Sequence, residues 1–112
     1  MIQMLPRIAF VAFLALSTQA GAQSSTDELT LTIKDHRFSP TELTVPAGKK
    51  FRIVVDNQDA TAEEFESKAL RVEKVIPGKK KATINLGPLK PGSYAFVGEF
   101  HESTAKGTLI AK

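Results

Sequence analysis

Between Leu29 and Lys34 the chain alternates, with Leu29, Leu31 and Ile33 on one face and Thr30, Thr32 and Lys34 on the other. A period of two, rich in Thr and Ile, is the signature of a strand with one buried face. The pattern recurs at Leu43 and Val45, at Phe51, Ile53 and Val55, at Ile84 and Leu86, and at Tyr94 and Phe96. The stretch KGTLIAK closes the chain as a last short strand. Turns of the type PAG (46–48), IPG (76–78) and KPG (90–92) separate these runs. Short strands at close spacing predict an all-β sandwich of about seven to eight strands.

One segment fits two patterns. In TAEEFESKALRVEKV, Thr61 and Glu64 could form a capping box, and Ala62, Phe65, Ala69, Val72 and Ile76 would share one helical face. The alternative is strand, turn, strand, with Phe65 inward and Leu70 and Val72 on the later strand. Local propensity narrowly favours the helix. Flanking strands in a two-sheet sandwich need partners, however, so the β assignment is adopted. It puts Glu64 and Glu66 on one face and Glu63 on the side of Phe65.

The first residues carry a different message. Arg7 precedes the apolar run Ile8 to Leu16, and Ala20-Gly21-Ala22 has the form of a cleavage site. The run is too short for a helix crossing a bilayer core of about 30 Å, which takes about 20 apolar residues. Residues 1–22 are therefore expected to be a signal peptide cut before Gln23, residues 23–28 a flexible leader, and 29–112 one folded domain. The expected location is the periplasm, with the mature chain soluble.

Past residue 22, fourteen Lys/Arg face twelve Asp/Glu, a net charge near +2, which gives no nucleic-acid signal. The chain has no Cys, and both Met residues, Met1 and Met4, fall in the signal. An exported domain of this size must hold together without disulfides, and its mature part contains no sulfur.

Chemistry-bearing residues are few. His101 lies between Glu99 and Glu102 in GEFHESTAKG, after a strand. His36 stands in KDHRFSP before a Pro turn, where Asp35-His36 could equally cap a turn. Glu63, Glu64 and Glu66 crowd the segment AEEFES, which is either a solvated acidic face or a cation site. There is no P-loop, no Gly-x-Gly-x-x-Gly, no Gly-x-Ser-x-Gly and no His-Glu-x-x-His. Binding is expected rather than catalysis.

The order FSPTELTVPAGKKFRIVVDN, then EEFES, then PLKPGSYAFVGEFHESTAKGTLIAK resembles the cupredoxin family over about residues 29–112. Within it, the chain is most similar to the EfeO-type domains associated with bacterial iron uptake, through the acidic–aromatic–acidic step Glu64-Phe65-Glu66. The resemblance implies a Greek-key sandwich. It sets His101 at the second ligand His, Gly98 at the ligand Cys, Glu63 at the first ligand His and Thr104-Ala105-Lys106 in the Met region. Three of four type 1 copper ligands are then missing, and a blue-copper site needs its thiolate.

Carboxylates with imidazole suit harder or borderline ions, so the expected ligand is an iron or copper ion, not type 1 copper. The ligands expected for it are Glu64, Glu66, Glu99 and His101, with Glu63 and His36 in reserve. The resemblance implies capture or hand-over of iron, with copper as the other candidate ion, to an inner-membrane iron permease or another periplasmic uptake component. The rival expectation is a metal-free sandwich that serves as an interaction module for such a partner. Convergence of the carboxylates of 63–66 and 99 on His101 separates the two.

Overall fold

The computed structural model describes residues 27–112 together with Gln3. Apart from that residue, the proposed signal over 1–22 lies outside the described residues, as do leader residues 23–26. Nine strands follow in order: β1 (Asp27–Lys34), β2 (Arg37–Ser39), β3 (Glu42–Val45), β4 (Phe51–Asn57), β5 (Glu63–Ser67), β6 (Val72–Ile76), β7 (Lys81–Leu86), β8 (Gly92–Gly98) and β9 (Lys106–Ala111). A short 3-10 turn, Glu99–His101, leaves β8. The described residues contain no helix long and apolar enough to cross a membrane.

The strands form two sheets, ordered β2-β1-β4-β7 and β3-β9-β8-β5-β6. β1 runs parallel to β4 and β3 parallel to β9, while the other pairs are antiparallel. Leu31, Ile33, Ile53 and Val55 from one sheet meet Phe65, Phe96, Leu109 and Val45 from the other, all buried. Phe65 stacks on Phe96 at 5.0 Å, and Phe38 meets Phe96 edge-on at 5.2 Å. This aromatic core lies beneath the end of the sandwich where β1, β5 and β8 finish or begin.

The sandwich is as the alternation predicts, with three corrections. The ninth strand is β2, because Asp35 and His36 take positive φ (53° and 57°) and fold the chain back as a hairpin. β1 starts at Asp27, inside the expected leader, because its ladder with β4 already begins at Asp27↔Phe51. Leu70 lies in the turn between β5 and β6 and not on the later strand. The Ser67 hydroxyl accepts the Leu70 N–H at 3.1 Å, and Arg71 closes the turn at φ 56°.

The segment 61–75 is strand, turn, strand. Its local helical pattern loses because β5 pairs on both sides, with β6 and with β8. A helix there would leave the inner edge of β8 without a partner for its backbone groups.

Candidate metal centre

β5 determines what each of its carboxylates can do. Strand side chains alternate, so Glu63, Phe65 and Ser67 are buried while Glu64 and Glu66 lie on the outer face. Glu63 is only 1% exposed. One of its oxygens accepts the backbone N–H groups of Glu64 and Phe100, each at 2.9 Å. The other meets His101 Nδ1 at 2.5 Å. A carboxylate oxygen only accepts, so the proton of this contact belongs to Nδ1.

His101 is held from several sides. Its carbonyl accepts the Ala105 N–H at 2.8 Å and the Thr104 N–H at 3.1 Å, which close the loop after the 3-10 turn. Its ring stacks on His36 with centroids 3.5 Å apart and planes 10° from parallel. His36 is fixed in turn by Asp59, whose two oxygens accept the Asp35 N–H at 2.8 Å and the His36 N–H at 3.0 Å. The Thr104 hydroxyl donates to the His36 carbonyl at 2.5 Å. The His36 N–H foremost, against some desolvation, holds the Asp59 carboxyl below the usual range, with the Asp35 N–H and the Lys79 charge adding.

The outer face is a second cluster. Phe65 pairs with Gly98 and Glu66 with Val97, so continuing that register by one step sets Glu99 opposite Glu64. On the other side Glu66 faces Glu73 of β6. Hydrogen bonding with Glu64 foremost, then loss of water and the Glu64 charge, raises the Glu99 carboxyl above its ordinary range. Glu66 is raised by desolvation first and then by the Glu99 charge.

The six sequence candidates therefore separate, and of the carboxylates expected to converge on His101 for a metal site only Glu63 does. Glu63, His101 and His36 meet at the inner end of the sandwich, and Glu64, Glu66 and Glu99 gather on the outer face of β5. Among the described residues, no group of three or more His, Asp or Glu side chains is placed to hold a metal ion. Asp59 and Thr104, which position His36, were not singled out as positioning groups. Asp59 stands among the acidic residues between Asp56 and Glu66, and nothing in the sequence distinguishes it from its neighbours.

A family model described as Cupredoxin-like domain matches residues 7–111. The chain belongs to this cupredoxin-like family. Solved relatives agree on the fold. Auracyanin A, a "blue" copper protein from Chloroflexus aurantiacus, superposes with TM-score 0.67 at 15% identity, over 79% of this chain and 100% of that one. Amicyanin from Paracoccus versutus gives 0.61 at 15% identity, over 81% and 87%. A chain of a heme-copper terminal oxidase dimer gives 0.65 at 15% identity, over 79% and 66%. In sequence, the chain is 46% identical over 83 residues to the uncharacterized protein RP394 of Rickettsia prowazekii, spanning 74% of this chain and 66% of that protein.

Type 1 copper does not fit this cupredoxin-like chain. It has no cysteine, and neither methionine lies among residues 27–112. Gly98, at the position resembling the ligand Cys, leaves no room for a side chain. A Cβ there would lie 2.6 Å from the Ala105 Cβ and 2.7 Å from the Glu63 carboxyl carbon.

Proposed function

We propose that this cupredoxin-like protein captures a transition-metal ion as cargo outside the cytoplasm and hands it on, with iron or copper the ions its donors suit. The observation carrying this is the gathering of Glu64 and Glu66 on the outer face of β5 with Glu99 beside them. All-oxygen donors favour hard and borderline ions. Crowded carboxylates repel one another, and a bound cation would relieve that repulsion. An exposed site whose side chains must still close around the ion suits transfer better than storage. The EfeO-like step Glu64-Phe65-Glu66 and the export signal Ala20-Gly21-Ala22 fit a periplasmic iron-uptake role beside a membrane permease.

Glu63 and His101 stand outside this donor set because they pair with each other, and His36 because its ring stacks on that of His101. Calorimetric titration of Fe²⁺ (anaerobic) and Cu²⁺ tests the proposal. Glu66→Gln and Glu99→Gln are each expected to weaken binding at least about fivefold, or roughly 1 kcal/mol, while His36→Ala leaves it unchanged. Failure of the wild-type protein to bind either ion would overturn it.

A second function is favoured by one observation. Phe100 is 51% exposed although its backbone N–H is anchored by Glu63, so an aromatic ring is displayed from a fixed turn. Such a ring suits a metal-free interaction module docking on a membrane permease. Phe100→Ser would then abolish partner binding without altering ion binding.

A further inference from the structure

The four positions that resemble copper-ligand positions do converge, and something other than an ion occupies the point where they meet. Glu63 and His101 touch at 2.5 Å. The Cβ that Gly98 lacks would come within 2.9 Å of the same Glu63 oxygen and 2.6 Å of Ala105, from the Met region. Ala105 is itself fully buried. We infer that the Glu63 carboxylate is this chain's built-in substitute for the cupredoxin metal, joining β5, the end of β8 and the His101 loop without any ion.

The chemistry of the substitution is direct. A metal ion at such a junction draws side chains from separate segments to one centre by accepting their lone pairs. A carboxylate does the converse and draws in their N–H donors. Glu63 takes three: the Glu64 N–H on its own strand, and the Phe100 N–H and His101 Nδ1 from the turn after β8. No buried side-chain nitrogen or oxygen among the described residues is left without a partner. An ion bound at this point through His101 Nδ1 would have to break the Glu63–His101 contact and would find neither thiolate nor thioether in its place.

This also accounts for Gly98 and Ala105. Both are small where the resembling positions hold or adjoin sulfur ligands, and a Cβ at residue 98 would press on both Ala105 and the carboxylate that fills the space. A side chain at residue 98 and the carboxylate of Glu63 exclude each other, so the two replacements belong together. The inference goes beyond the proposed cargo site and does not depend on it.

The test joins ¹⁵N NMR of the His101 ring to thermal unfolding, with Zn²⁺ as the probe ion. In the wild-type protein, His101 is expected to keep its proton on Nδ1 both in chelator and in excess Zn²⁺. Glu63→Ala removes the acceptor of three donors and should lower the unfolding midpoint by at least about 10 °C. Should that variant not fold, Glu63→Gln retains the shape, and its His101 Nδ1 signal should move with a smaller fall in midpoint. Zn²⁺ binding to Nδ1 in the wild-type protein would overturn the inference. So would a Glu63→Gln protein with unchanged ring signal and midpoint. Zn²⁺ held by the outer carboxylates leaves the ring signal still, so loss of cargo binding and loss of the built-in junction read out separately.

Discussion

Glu63 and Glu64 adjoin in sequence and live in opposite surroundings. The first is buried, with both oxygens taken by N–H donors. The second lies on the outer face, opposite Glu99 when the β5–β8 register is continued by one step. Burial with a complete set of donors turns a carboxylate into a structural junction. Partial exposure without donors turns it into a charge seeking a cation. One step along a strand separates the two roles, because alternation sends neighbouring side chains to opposite faces.

Mutating the pair in parallel gives the sharpest contrast. Glu63→Gln is expected to cost about 2–4 kcal/mol in urea unfolding, since charged hydrogen bonds are lost and a buried donor is left facing an amide. Glu64→Gln should stay within about 0.5 kcal/mol, the range of surface substitutions. Equal costs would erase the distinction between the two faces.

Next in size is the glycine that makes room for Glu63. Gly98→Ala sets a methyl group against the Glu63 carboxyl and Ala105. Overpacking of this kind costs about 1–3 kcal/mol. Combined with Glu63→Ala, the penalty should be smaller than the sum of the two, because the clash with the carboxyl, though not the one with Ala105, is then relieved. A double-mutant cycle by denaturant unfolding measures that coupling.

Acid sharpens the comparison between clamped and crowded carboxylates. Asp59 holds the His36 turn and has a depressed pKa, so between its folded and unfolded values the unfolded chain binds more protons. Its contribution is present above the ordinary Asp range and is lost as pH falls below about 4. The gap in melting temperature between wild type and Asp59→Asn should therefore close on acidification through that range.

Glu99 has the opposite sign and the smallest effect. Its pKa is raised, so the folded chain binds more protons and stability falls as pH rises above the ordinary Glu range of about 4.3. Without added metal, Glu99→Gln should melt slightly higher than wild type at pH 7 and at the same temperature near pH 3. A lower melting point at pH 7 would mean that Glu99 is clamped, like Asp59, and not crowded.

The strands were legible in the sequence because each has one buried face, as in Leu31 and Ile33 or Phe51, Ile53 and Val55. A period of two survives in the residue order without any knowledge of partners. The exception was the stretch around Phe65, whose apolar residues satisfy helical and strand spacing at once. Pairing with β8 decided it, and pairing is not a local property. The positive-φ turn at Asp35-His36 was equally hidden, since it depends on Asp59, 23 and 24 residues away in sequence.

By itself the sequence determined the sandwich, the absence of cysteine and therefore the exclusion of blue copper. It also placed Glu63 apart from Glu64 and Glu66, once the segment was taken as a strand. What Glu63 meets was decided only by the tertiary structure, which carries His101 to it across 38 residues and stacks His36 on the same ring. The physical reason is range: burial patterns repeat every two residues along the chain, whereas a hydrogen bond or a ring contact depends on where distant segments end.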